Sequence, residues 1–171
     1  MRQIRIEGDV AYIPLTQGYE AIIDASDIAL VNGGNWIAAV SRRPDGSVRT
    51  AYALRRKGPR SNITCTHLHR LIGNAPDGLE VDHIDGDALN NRRSNLRLAT
   101  RSENVRNMKT PSHNTSGFKG VRWNTRSRRW QAFIKLNGNQ IWLGTHMCRT
   151  SAVIAYAKAS TKLHGEFGRV A

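Results

Sequence analysis

Between Lys109 and Ser116 the chain passes through Thr, Pro, Ser, His, Asn and Thr with no apolar periodicity, and this break limits what can form on either side of it. A chain of 171 residues holds one ordinary domain or two small ones. A linker at this place selects two small ones, each built from short elements. No apolar run approaches the ~18 residues that would mark a membrane span, and the N-terminus lacks the apolar stretch of a secretory signal. The expectation is an intracellular protein with no membrane association. Cys65 and Cys148 lack a CxxC neighbour, which argues against a cysteine-based zinc site, and nothing in their placement suggests a disulfide.

Charge falls unevenly across the break. Residues 1–109 carry 16 basic and 12 acidic side chains, a net +4, whereas residues 110–171 carry 10 and 1, a net +9. A basic block of that density suits a polyanion, and nucleic acid is the usual one. An anionic membrane is the weaker reading, because no amphipathic membrane helix or polybasic tail accompanies the charge.

Residues 1–68 read as short strands and turns. Pro44-Asp45-Gly46-Ser47 separates the apolar segment 36–40 from 48–54, and Arg55-Arg56-Lys57-Gly58-Pro59-Arg60 reads as a second, basic turn before a strand-like stretch at 63–68. From 69 to 108 the order is strand (79–84), polar loop, strand (95–99) and helix. Thr100-Arg101-Ser102-Glu103 fits a capping box that starts the helix, which runs to about Met108.

After the linker come three strand signals, at 118–123, 129–135 and 140–144, with the Asn137-Gly138 hairpin turn between the last two. A helix capped by Thr150 carries Ala152, Ala155, Tyr156, Ala159 and Leu163 on one face, with Gly165 as its stop. Packed on the sheet, it covers Trp130, Ala132, Ile134, Ile141 and Leu143. It leaves Arg122, Arg129, Gln131, Lys135, Gln140 and Trp142 on an open face that suits a DNA groove.

The string Val81-Asp82-His83-Ile84-Asp85-Gly86-Asp87, followed by Asn90-Asn91, Ser94-Asn95-Leu96-Arg97 and Ser102-Glu103-Asn104, resembles the HNH nuclease family. His69-Arg70-Leu71-Ile72 upstream resembles the phage and homing-type subgroup. The physical case runs in parallel. Phosphodiester hydrolysis needs a base to make a nucleophile from water, and a neutral imidazole serves near pH 7. It also needs a charge sink, which a hard cation supplies. The resemblance implies a hairpin-plus-helix, or ββα-metal, fold. It implies His83 as general base, Asn95 as the residue steadying loop and base, and Asp82 and Asn104 as ligands of a divalent metal. Asn104 stands where many members have His, which shifts the preference toward Mg²⁺ or Mn²⁺ and away from Zn²⁺. His69 and Arg97 are candidates either to brace the residues of the site or to face a phosphate, and Arg92 and Arg93 are candidates for flanking phosphates. Asp85, Asp87, Asn90 and Asn91 read as loop formers. Alternation along a strand sets Asp82 and His83 on opposite faces, so both reach one phosphate only near a strand end or in a twisted segment.

The segment Ser116-Gly117-Phe118-Lys119-Gly120-Val121-Arg122-Trp123, together with Trp142-Leu143-Gly144-Thr145 and Leu163-His164-Gly165, resembles the AP2 DNA-binding domain. That resemblance implies contact with the major groove through Lys119, Arg122, Lys135, Gln140 and Trp142. Lys135 and Gln140 cannot form an arginine fork on guanine, so the target sequence of plant members does not carry over.

The expected protein is therefore α+β. A β-rich N-terminal extension (1–68) leads into an HNH core (69–108), followed by a linker (109–116) and an AP2-like three-stranded sheet packed on one helix (117–171). The expected function is metal-dependent endonucleolytic cleavage of double-stranded DNA, with no protein partner evident. The alternatives are a DNA-binding regulator with a decayed nuclease core and a non-specific nuclease.

Overall fold

The computed structural model describes residues 3–111 and 113–170. Met1 and Arg2 of the expected extension, Ser112 of the expected linker and Ala171 at the C-terminus lie outside the described residues. The chain folds as two units, Met1–Thr100 and Arg101–Ala171.

The first unit begins with an antiparallel meander of β1 (Arg5–Glu7), β2 (Val10–Pro14) and β3 (Glu20–Asp24). Alternation in β2 and β3 sends Ala11, Ile13, Ala21 and Ile23 inward, all buried. A short helix, α1 (Ile28–Val31), leads to a second antiparallel sheet of β4 (Trp36–Arg42), β5 (Val48–Lys57) and β6 (Thr64–His67). Helix α2 (Leu68–Gly73) follows, and then a hairpin of β7 (Glu80–His83) with β8 (Leu96–Ala99). One apolar core runs through the meander, the second sheet and α2, from Ala11 to Ile72, with Leu89 and Leu96 packed against it. The expected boundary at residue 68 therefore crosses a continuous core. Burial of Ile23, Leu68 and Ile72 contributes roughly 1.5–3 kcal/mol each. Gly73 lets α2 lie against β7: a Cβ there would sit 2.8 Å from Val81 Cγ2.

The turn at 44–47 forms as expected, with Gly46 N donating to Arg43 O and the Asp45 carboxylate accepting from Ser47 N. The basic turn begins later than expected. Arg55, Arg56 and Lys57 belong to β5 and pair with Thr66, Cys65 and Thr64, so the reversal starts at Gly58 (φ 107°). Helix α2 had no sequence signature that set it apart from the strand before it.

The second unit opens with α3 (Arg101–Asn107). Two carbonyls near its C-terminal end are taken by cations of the same unit: Lys119 Nζ donates to Arg106 O (2.6 Å) and Arg169 Nη1 to Asn107 O (3.3 Å). Strands β9 (Val121–Asn124), β10 (Arg129–Leu136) and β11 (Asn139–His146) form an antiparallel sheet of order β11-β10-β9. Helix α4 (Arg149–His164) packs on it through Ala152 and Tyr156 against Val121, Ala132 and Ile134. His164 is hydrogen-bonded to Lys135 O at 2.9 Å, fixing the helix end to the central strand. Cys148, not Thr150, caps the helix, its sulfur accepting from Ser151 N. Gly120 (φ 62°) is required because a Cβ would strike Phe133 O and the Tyr156 ring. A register shift between Ala132 and Phe133 inserts Leu143 opposite no partner. Ile141 is left 37% exposed at the rim, not covered as simple alternation implies.

Candidate functional site

The hairpin β7–β8 places the first two candidate residues side by side in sequence but in separate surroundings. Asp82 and His83 are both buried, at 5% and 6% exposure. Asp82 pairs across the hairpin with Arg97, whose Nε and Nη2 each lie 2.9 Å from Asp82 Oδ2. His83 is the last residue of β7. Its Nε2 lies 3.3 Å from Asn91 Oδ1. Its ring stands 5.2 Å from that of His69 and 6.3 Å from that of Tyr52.

Burial pushes the His83 imidazole below its ordinary value of 6.5. The hydrogen bond to Asn91 and the charges of Asp85, Asp82 and Asp87 oppose that push without cancelling it. The ring is therefore neutral at pH 7 and able to take a proton. His69 is driven further, to about 3, by burial first and then by His83, His67 and Arg70. Among the described residues it has no hydrogen-bond partner at Nδ1, and its ring centre lies 5.4 Å from those of Tyr52 and His67.

The loop between the strands is tied by amides and carboxylates. Asn95 accepts from Asp85 N (3.0 Å) and donates to Asp85 Oδ1 (2.9 Å) and Asn90 O (2.8 Å). Asp85 also accepts from Asp87 N and Asn90 Nδ2. Burial raises its pKa, but these bonds outweigh burial and hold the carboxyl below its usual value. Asn95 thus steadies the loop, while the residue that touches the imidazole is Asn91, fully buried and read from sequence only as a loop former. A partner for the base could have been sought in the Asn90-Asn91 pair, since a buried amide is one of few neutral groups able to accept from an imidazole N–H.

The cations flanking the loop are occupied. Arg92 binds Asp24 (3.0 Å) and Asp9 (3.4 Å), and Arg93 forks onto buried Asp27 at 2.8–3.1 Å. These are contacts within the first unit, where phosphate contact was considered. Asn104 lies in α3, in the second unit. Among the described residues no three His, Cys, Asp or Glu side chains gather as a metal-binding group. Asp82 supplies a single buried carboxylate. That donor set fits a hard cation completed by water and phosphate, not a zinc site of several nitrogen or sulfur ligands.

On the second unit's sheet, Arg122, Lys135, Gln140 and Trp142 lie on the face turned from Ala132 and Ile134. Register pairs Lys135 with Gln140, Phe133 with Trp142 and Gln131 with Arg122. Trp142 is 50% exposed. Arg122 donates to Gln131 Oε1 (3.0 Å), and its guanidinium lies 5.2 Å from the Phe133 ring centre. Lys119 is not part of this face. It precedes β9, and burial with Arg169 nearby lowers its ammonium to about 8.

A family model described as HNH endonuclease matches residues 67–106, which span β7, the loop, β8 and most of α3. The chain is 37% identical over 126 residues to protein 3.8 of Escherichia phage T7, an alignment covering 71% of this chain and 98% of that protein. It is 36% identical over 106 residues to an uncharacterized HNH endonuclease, L560, of Acanthamoeba polyphaga mimivirus, covering 58% of this chain and 54% of that protein. No solved structure matches. With Asp82, His83, Asn91 and Asn95 all inside the matched stretch, the chain carries an HNH endonuclease domain at residues 67–106 and belongs to the family of phage T7 protein 3.8.

Proposed function

We propose that the protein is a metal-dependent endonuclease acting on double-stranded DNA. The observation that carries this reading is a buried His83 held by an amide and next in sequence to the buried Asp82 carboxylate, within an HNH endonuclease match. His83 takes the proton from the attacking water, a role worth roughly 10²–10⁴-fold in rate. Asn95 keeps the loop closed behind it. In this proposal Asp82 is the first unit's ligand for Mg²⁺ or Mn²⁺; Asn104 is a second candidate on the family resemblance alone. Such a cation, when bound, would draw charge from the phosphoryl oxygens and stabilise the leaving oxygen. Arg97, 2.9 Å from the Asp82 carboxylate, neutralises it when no cation is bound.

The open sheet face of the second unit supplies recognition in this proposal. Arg122, Lys135, Gln140 and Trp142 offer cation, amide and aromatic groups on one surface, and the AP2-like pattern of the segment supports their use in a groove. The surplus of cations in residues 110–171 supports the same placement.

The deciding experiment incubates purified full-length protein with supercoiled plasmid in Mg²⁺, in Mn²⁺ and in excess EDTA. Nicked or linear product in either metal, absent in EDTA, is the expected result. Cleavage in excess chelator would remove the metal from the reaction. The pairing of Asp82 with Arg97 favours a second reading, a DNA-binding regulator in which the salt bridge replaces the cation. That reading requires DNA binding with no product in either metal.

A further inference from the structure

The N-terminal sheet grips the loop that carries Asn91. Ile22 of β3 donates its N–H to Leu89 O (2.8 Å) and accepts from Asn91 N (2.7 Å), making a parallel bridge between residues 22 and 90. Just beyond, Arg92 and the backbone N of Arg93 bind the two oxygens of Asp24, at the end of the same strand (3.0 and 2.8 Å). The Arg93 fork on Asp27 adds a third tie. The segment 89–93 is thus stitched to β3 and the turn after it, across more than 60 positions of sequence.

This attachment fixes the Asn91 side chain. Its Nδ2 donates to Leu89 O (2.8 Å), the carbonyl that Ile22 N also holds. Turning the amide over would set its oxygen against that carbonyl, two acceptors facing each other in a buried site. Oδ1 therefore faces His83 Nε2. An amide oxygen only accepts, so Nε2 must donate, and the ring's lone pair is at Nδ1.

We propose that β3, acting through Asn91, sets the tautomer of His83 as Nε2–H with a basic Nδ1, which makes the N-terminal sheet a positioning part of the centre. The catalytic consequence rests on the nuclease reading above; the tautomer does not. A base whose proton sits on the wrong nitrogen presents no lone pair to water, as in hydrolytic triads whose histidine loses its orienting partner.

Nitrogen NMR of the full-length protein tests this directly, because protonated and unprotonated ring nitrogens resonate far apart. The His83 signals are assigned by their loss in His83→Gln. Wild type is expected to show Nε2 protonated and Nδ1 bare at pH 7.5. Asn91→Leu, close in volume and without polar atoms, should yield a mixture of tautomers. It should also lower kcat between about ten- and a hundredfold with KM nearly unchanged, the range seen for groups that orient a working histidine. A wild-type spectrum with the proton on Nδ1 overturns the proposal whatever the variants do. So does an Asn91→Leu spectrum identical to wild type. If the signature and its loss are seen but no cleavage occurs, the positioning role stands and the nuclease reading alone fails.

Discussion

Replacing His69 with phenylalanine keeps a ring of similar shape in the cluster and removes one buried titrating group. In the folded protein that group is surrounded by Tyr52, His67 and His83, with the Arg70 charge adjacent in sequence. Burial first, and then the positive charge that His83, His67 and Arg70 present, lower it from 6.5 to about 3. The unfolded chain therefore binds this proton before the folded one does. The stability tied to a neutral His69 is fully present above pH 6.5 and is lost as pH falls from 6.5 toward 3. At pH 4.5 the loss is about 2–3 kcal/mol, from roughly 1.4 kcal/mol per pH unit over the two units crossed. That is a large part of the ~5–15 kcal/mol expected for a domain of this size. Urea unfolding of wild type and His69→Phe at pH 7.5 and at pH 4.5 measures it. Carboxylates such as Asp85 weaken both proteins in acid and cancel in the difference. The variant should gain about 2–3 kcal/mol on wild type between the two pH values. A difference that stays constant within about 0.5 kcal/mol would show that His69 is protonated in the fold or exposed to water, and the reasoning from burial would fall.

Three further outcomes follow from the site. His83→Ala should lower plasmid cleavage by roughly 10²–10⁴-fold while gel-shift affinity for DNA stays within a few fold, because the ring contributes to the chemical step and carries no charge at neutral pH. Arg97→Met should destabilise the fold in urea unfolding without divalent metal, by up to about 3–5 kcal/mol, since it removes the cation paired with the buried Asp82 carboxylate; a loss below about 1 kcal/mol would mean that Arg97 is not the main compensation of that charge. Arg122→Ala and Trp142→Ala, checked first for folding by circular dichroism, should weaken binding to a selected site more than binding to random DNA. Equal losses on both would place these residues among contacts to the phosphate backbone alone.

Much of the local structure was legible because its causes are local. The strands β7 and β8 and the helix α3 fall within one or two residues of where apolar runs and the Thr100–Glu103 pattern put them. Trp130, Ala132 and Ile134 share a face because strand alternation requires it. Errors arose where pairing overrode composition. Arg55-Arg56-Lys57 reads as a turn by charge, but its backbone is drawn into β5 by pairing with Thr66, Cys65 and Thr64, which charge and turn composition do not register. The bulge at Leu143 is of the same kind, since it depends on the register against β10.

The chemistry was legible to a different depth for the same reason. Asp82, His83 and Asn95 stand close together in sequence, so the motif alone assembles them. Asn91 is equally close, yet what it does is decided by Ile22 and Leu89, one of which lies almost seventy positions upstream. From the sequence an asparagine in a polar loop is most simply a turn former, because its side chain competes for backbone groups wherever the chain bends. Only a strand edge running past the loop converts that generic amide into one with a fixed direction. The direction matters because imidazole is useful as a base on one nitrogen at a time. The motif therefore names the base, while the choice of nitrogen belongs to the fold. Ile22→Pro separates the two: it deletes the single N–H that β3 offers to Leu89 O and leaves the whole motif intact. If orientation is set from β3, this change, far from the motif in sequence, should disturb the His83 nitrogen spectrum in the same sense as Asn91→Leu. An unchanged spectrum in a folded Ile22→Pro protein would mean that the loop holds Asn91 without help from the N-terminal sheet.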